Sequence, residues 1–340
     1  MANLELYDNE NILEGVESPP VLFLIFNRPM STQKVFNAVR EVKPNKIFVA
    51  ADGPRKGVPT DLDTCLEARK IIEQVDWECE VKLLYREENI GCRAAISSGI
   101  DWFFSHVDEG IILEDDCLPS KSFFRFCQIL LEKYRHNDSV MQINGSYYLD
   151  DLIDHKESYY FSKIISCWGW ATWKSSWGSF DGAMSDYGRL KSNGLIKEYY
   201  DNKYISNWME SYLDEANAES CGIWSTQWAF KIIKKNALSI TPTINLVQNI
   251  GFNNDATTGV ALSFRKYSKF TPNDFQNMAH PSGVSYNKNI DALHFRTIIK
   301  KTDPRLNKTI IGYIAPTIKK ILPNKIIFFL KKIQKLFYYS

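Results

Sequence analysis

Several features that would give this chain an easy reading are missing. No G-x-x-x-x-G-K-[ST] occurs, which excludes a P-loop. No C-x-x-C pair occurs, and the seven cysteines (Cys65, Cys79, Cys92, Cys117, Cys127, Cys167 and Cys221) are odd in number and irregularly spaced. That speaks against a disulfide framework or a structural zinc site and fits a reducing cytosol. No uninterrupted apolar run reaches membrane-spanning length, so no transmembrane helix is expected. Residues Met1 to Ser18 are acidic and polar, without the basic start and apolar stretch of a signal peptide. Internal repeats and low-complexity segments are also lacking.

What is present is ordinary for a globular protein of 340 residues, with 44% apolar and 24% charged side chains. Aromatics reach 14%. Such an excess suits flat ligands such as bases and sugars, and equally a core rich in Phe and Tyr. The net charge of +1 conceals an asymmetry. From Lys300 onward there are ten Lys and Arg against one acid, Asp303, so the body of the chain is acidic and its tail basic. A basic tail points to an anionic surface.

The first half alternates strands and helices. Val21 to Phe26 and Lys46 to Ala51 are continuous apolar runs, as in strands buried on both faces. Further strands are predicted at Val81 to Tyr85, Gly110 to Leu113 and Val140 to Asn144. Helices are predicted from Thr32 to Val42 with Ser31 as N-cap, Asp61 to Val75, Arg93 to Val107 and Ser122 to His136. This order implies a mostly parallel α/β sheet, whose ligands bind at the carboxyl ends of the strands. Four of those ends carry polar clusters: Asn27-Arg28, Asp52-Gly53, Arg86 to Asn89, and Glu114-Asp115-Asp116. Beyond Ser146 the pattern is irregular and rich in Trp, Tyr, Asn and Ser, an extension of the same domain rather than a second one. The expected organisation is a polar segment 1–18, a domain 19–297 with halves 19–145 and 146–297, and a basic amphipathic tail 298–340.

Glu114, Asp115 and Asp116 end a buried strand, so three carboxylates meet at one point. Such crowding is costly unless a cation compensates. A hard divalent ion, Mg²⁺ or Mn²⁺, accepts one or two carboxylates and completes its shell with phosphate oxygens. The other reading of the segment is a solvated acidic loop.

The stretches Asn89-Ile90-Gly91-Cys92-Arg93 and Ile111 to Ser120 (IILEDDCLPS) resemble bacterial nucleotide-diphospho-sugar transferases related to the N-acetylglucosaminyltransferase I family. So do Phe26-Asn27-Arg28-Pro29, Ala51-Asp52-Gly53-Pro54, Cys167 to Trp173 (CWGWATW) and Asn249-Ile250-Gly251-Phe252, in order over residues 19 to 282. The resemblance implies a GT-A (Rossmann-like) fold and a variant D-x-D motif at Glu114-Asp115-Asp116. It implies that Asp116 binds the metal and that Glu114 and Asp115 contact the nucleotide. It also implies that Asn27, Arg28, Asp52, Asn89 and Arg93 line the nucleotide-sugar site.

Trp168, Trp170, Trp173 and Trp177 lie within ten residues. Indole faces offer sugars an apolar platform, so Trp168, Trp170 and Trp224 are candidate acceptor-binding residues; packing beneath the site is the alternative. The resemblance breaks at Trp224-Ser225-Thr226-Gln227-Trp228, where relatives carry an Asp as the base for the acceptor hydroxyl. Ser225 is a poor base near neutral pH, and Glu219, close in sequence, is the candidate substitute. Thr258 stands where relatives have His, leaving His280 as a candidate second metal or diphosphate ligand.

The expectation is a metal-dependent hexosyl- or N-acetylhexosaminyltransferase using Mn²⁺ or Mg²⁺. It would move a sugar from a nucleotide-diphospho-sugar donor to a glycan or lipid-linked acceptor in bacterial surface polysaccharide synthesis. Its expected place is cytoplasmic, peripheral on the inner face of the plasma membrane, with an anionic membrane surface and no nucleic acid as partner. One alternative is a catalytically weakened sugar-nucleotide-binding relative. The other, a sugar-phosphate nucleotidyltransferase, wants a Gly-rich loop after the first strand, and Asn27-Arg28-Pro29 has no glycine.

Overall fold

A computed structural model describes residues 18–149, 152–218, 224–251, 275 and 277–299. The chain divides into two compact units, 1–292 and 293–340, and the sheet lies wholly in the first. Of the second, the described part is the end of the last helix and one π-helical turn, Phe295–Ile299.

The continuous apolar runs form strands where expected. β1 (Val21–Ile25), β2 (Lys46–Ala51), β3 (Glu80–Tyr85) and β4 (Glu109–Glu114) pair in parallel in the order β3-β2-β1-β4. The short strand β5 (Cys117–Pro119), which lies outside this sheet, follows, and then β6 (Val140–Asn144). The irregular half supplies β7 (Tyr159–Ser162), β8 (Trp170–Trp173) and β9 (Leu238–Pro242), which extend the sheet as β4-β8-β6-β9-β7. β8 runs antiparallel between β4 and β6, so β6 and β9 recover the direction of β4, and only β8 and β7 oppose it. The result is an α/β fold on one mostly parallel eight-stranded sheet.

Period-two alternation decides which helix covers which face. Val21, Phe23, Ile25, Val49 and Leu113 face the core shared with α1 (Pro29–Val42) and α4 (Lys121–Tyr134). The opposite face meets α3 (Cys92–Phe104): Phe48 packs edge-to-face on Phe103 at 5.0 Å, and Gly99 lies against Leu24 and Ala50. α2 (Pro59–Lys70) follows β2 and ends in a 3-10 turn, Ile71–Gln74. Short helices α5 (Lys174–Trp177), α6 (Tyr187–Ser192) and α7 (Leu195–Tyr200) precede α8 (Lys203–Asn217) and α9 (Ser225–Lys234), and α10 is Lys288–His294.

The start of α1 is not capped by Ser31. Pro29 takes the first helical position, where its missing N–H costs nothing, and Arg28 is the N-cap residue. Ser31 sits inside the first turn and its hydroxyl donates to the Arg28 carbonyl. Among the described residues the six cysteines are all free. Likewise among these residues, no helix is long and apolar enough to cross a membrane. The proposed tail from Lys300 onward lies outside the described residues.

Candidate active site

The carboxyl ends of β1, β2, β3 and β4 converge, and the polar clusters at those ends bond to one another. The Asp115 carboxylate is buried and accepts from the Phe26 backbone N–H (3.2 Å) and from Arg28 Nη1 (3.2 Å). The same Nη1 donates to Asp116 Oδ2 at 2.8 Å. One guanidinium nitrogen therefore bridges two carboxylates that are 87 and 88 residues away in sequence. Burial opposes the charge on Arg28, but Asp115 and Asp116 outweigh it and hold its pKa above the ordinary value. Glu114 is half-buried and its carboxylate takes no hydrogen bond from another described residue. Burial, then repulsion from Asp116 and Asp115, pushes its pKa up; burial and Asp116 do the same to Asp115. Three acids against one arginine leave the cluster short of positive charge.

β5 begins directly after this cluster and pairs antiparallel with β10 (Val247–Asn249), with Asn249 opposite Cys117. That ribbon brings Asn249-Ile250-Gly251 beside the acids. The Ile250 N–H donates to the Asp116 carbonyl at 2.8 Å, and Asn249 Nδ2 approaches Asp116 Oδ1 at 3.4 Å. Gly251 is packed so closely that a Cβ there would stand 2.9 Å from Asp116 Cγ and 3.0 Å from its Cβ. No larger residue fits without moving Asp116.

The second cluster joins the ends of β2 and β3. Asp52 is buried and accepts from the Gly53 N–H (2.9 Å), the Ile90 N–H (3.1 Å) and Asn89 Nδ2 (2.9 Å). Asn89 Nδ2 also donates to the Gly53 carbonyl. Gly53 permits the approach, since a Cβ would lie 2.6 Å from the Glu88 nitrogen. Asp52 thus fastens the two loops together. Arg69 reinforces the same junction by donating to the carbonyls of Asp52 and Arg86. Asn27 is likewise engaged: its Nδ2 donates to Asp61 (2.9 Å), which also holds Arg55 through two side-chain hydrogen bonds. The Arg55 hydrogen bonds hold the Asp61 carboxyl well below the usual carboxylate range. Arg55 and its partner Asp61 were not foreseen, and no local pattern announces them. Arg93 lies in the first turn of α3, half-buried, and its guanidinium makes no hydrogen bond with another described residue.

The remaining candidates separate. Trp170 and Trp224 are core residues, 0% and 4% exposed, and stack on each other at 5.7 Å. Trp177 and Trp228 complete the cluster at 5.2 Å from one another, and Trp228 lies 5.7 Å from Trp170. Their faces are covered by indoles, which corrects the expectation that Trp170 and Trp224 offer a platform to an acceptor. Trp168 is half-buried, edge-on to Tyr148 at 6.0 Å. Because Trp170 pairs with Ile112 in β4, this cluster sits beside the carboxylate end of that strand, and Ser225 opens α9 next to Trp224. Ser225 is half-buried; Glu219 lies outside the described residues, as does Thr258.

His280 is exposed and its Nδ1 lies 2.9 Å from the Tyr159 hydroxyl, which in turn bonds Tyr134. Tyr159 belongs to β7, four strands from β4 across the sheet, or roughly 19 Å at the usual strand spacing. The structure does not bring His280 to Asp116. Among the described residues no group of three His, Cys, Asp or Glu side chains could hold a metal. Two carboxylates and a diphosphate are nevertheless enough for Mg²⁺ or Mn²⁺, and Glu114 and Asp116 are the partly exposed pair.

Compared with known proteins, the chain matches no family profile and no curated protein sequence. Among solved structures it is similar to HddC from Yersinia pseudotuberculosis complexed with GMP-PN: 12% identity, 46% of this chain and 77% of that one, TM-score 0.30. It is similar also to the mannosyltransferase PcManGT from Pyrobaculum calidifontis in complex with GDP-Man and Mn²⁺, at 14% identity, 49% of this chain and 48% of that one, TM-score 0.34. A UDP-glucose pyrophosphorylase complexed with UDP-glucose follows at 11% identity, 46% and 69% coverage and TM-score 0.24. Likeness at this level carries no argument about activity.

Proposed function

We propose that the chain is a metal-dependent glycosyltransferase of the GT-A type that takes a sugar from a nucleotide-diphospho-sugar. The observation that carries this reading is the run Glu114-Asp115-Asp116 at the end of β4, where Asp115 and Asp116 are fastened to Arg28 at the start of α1 and Asp116 also to the segment Asn249-Ile250-Gly251 that ends β10. Asp116, with Glu114 beside it, would hold Mn²⁺ or Mg²⁺. The ion supplies Lewis-acid stabilisation of the departing diphosphate. Asn89 and Arg93 would border the base and phosphates, fixed in place by the Asp52 junction. Trp168 is the indole left to meet an acceptor. The basic tail would hold the enzyme on the inner face of the plasma membrane, beside a lipid-linked acceptor, in surface polysaccharide synthesis.

Titration calorimetry across nucleotide sugars, with and without Mn²⁺, tests the reading: one donor should bind with metal and fail to bind in EDTA. A second reading, a sugar-nucleotide-binding relative with weakened turnover, is favoured by Ser225, which brings a hydroxyl to the place where the resemblance expects a carboxylate base. It predicts the same metal-dependent binding without transfer to any acceptor.

A further inference from the structure

We propose that Arg28 is an internal counter-cation that neutralises Asp115 and Asp116 and must release Asp116 for the metal to bind. The inference rests on the proposed metal site and concerns how that site is filled. A single nitrogen, Nη1, contacts Asp115 Oδ1 at 3.2 Å and Asp116 Oδ2 at 2.8 Å, so the guanidinium already occupies an oxygen of the acid that would hold the metal. Asp115 is fixed by the Phe26 N–H and Asp116 is backed by Gly251, so neither acid can turn away to serve both cations. Arg28 can move: its side chain is 41% exposed, and what holds it in α1 is its backbone at the N-cap, not its guanidinium.

The consequence is an ordered occupancy. Metal alone competes with a tethered positive charge and binds weakly. A diphosphate arriving with the metal offers the guanidinium new oxygen acceptors, which planar, multi-donor arginine suits. Arg28 would then pass from the carboxylates to the phosphate and leave Asp116 free to hold the metal with Glu114. Arg28 thereby acts as a positioning residue that couples metal binding to donor binding, and the coupling is reciprocal.

The test measures Mn²⁺ binding to the full chain by electron paramagnetic resonance, with no nucleotide present, for wild type, Arg28→Gln and Arg28→Met. Removing a unit charge a few ångströms from the ion should tighten Mn²⁺ binding by about tenfold or more, even after allowance for solvent screening. A merely structural role for Arg28 would leave affinity equal or weaker. The double variant Arg28→Gln with Asp116→Ala should lose the gain, which ties it to this site. Inorganic pyrophosphate should strengthen Mn²⁺ binding more in wild type than in either variant. Arg28→Met retains the aliphatic stem, and thermal melts establish that each variant is folded. Equal or weaker Mn²⁺ binding in both single variants overturns the counter-cation role while leaving the metal site standing. No Mn²⁺ uptake by any form, with or without pyrophosphate, overturns both.

Discussion

Gly251→Ala is the smallest change that should disable the site. The added Cβ would stand 2.9 Å from Asp116 Cγ and 3.0 Å from Asp116 Cβ, well inside ordinary carbon–carbon contact. Rotating the carboxylate moves only its oxygens, so that motion cannot relieve the overlap. Either Asp116 swings to another rotamer or the β5–β10 ribbon opens by about half an ångström, at a cost of roughly 1–3 kcal/mol. The Arg28–Asp116 ion pair is partly exposed and adds less than about 1 kcal/mol to that loss. Function should suffer more than stability. A metal ligand displaced by about an ångström can reduce turnover on the order of a hundredfold. Thermal melting and calorimetry with Mn²⁺ and a nucleoside diphosphate measure the two effects on one sample. A variant that melts a few degrees lower but binds the nucleotide unchanged would refute the claim that the Asn249–Gly251 segment and Asp116 form one site.

Three further outcomes are expected. Glu114→Gln should raise the melting temperature of the metal-free protein at neutral pH: a folded pKa held above its unfolded value destabilises the ionised state, and this penalty disappears as pH falls toward the ordinary carboxylate range, so the gain should shrink there. Trp170→Ala should destabilise the fold by about 3–5 kcal/mol through the cavity it leaves among Trp177, Trp224 and Trp228, and a stable variant with only a weakened acceptor KM would restore the platform reading. A chain ending near Thr302 should remain folded but no longer float with anionic liposomes, whereas the full chain floats and is released by high salt; equal flotation of both would remove the tail from the membrane argument.

The parallel half was legible because β1, β2 and β4 are apolar runs buried on both faces and bounded by Pro, Gly or charge. β2 and β6 fall where the sequence places them, to the residue. β7, β8 and β9 were not, since YYFS, WATW and LSITP are short and mix apolar with hydroxyl-bearing residues whose partners are distant in sequence. The convergence of strand ends was readable from the alternation; who bonds whom was not. Arg28 reaches Asp115 and Asp116 across 87 and 88 residues, and Asp52 binds the loop after β3 through Asn89, 37 residues away. Nor does an indole reveal in sequence whether its face is open: Trp168 and Trp170 are two residues apart and differ in burial, Trp170 being the first residue of β8 and Trp168 lying before it.

The proposed function requires Asp116 to carry a divalent ion on which donor binding depends. Calorimetric titration of a nucleotide sugar into wild type and Asp116→Ala, each with Mn²⁺ and each in EDTA, tests it most directly. Binding should be seen only for wild type with Mn²⁺, while the two proteins melt alike in EDTA to within a few degrees. Undiminished binding in EDTA, or in Asp116→Ala, would contradict the account.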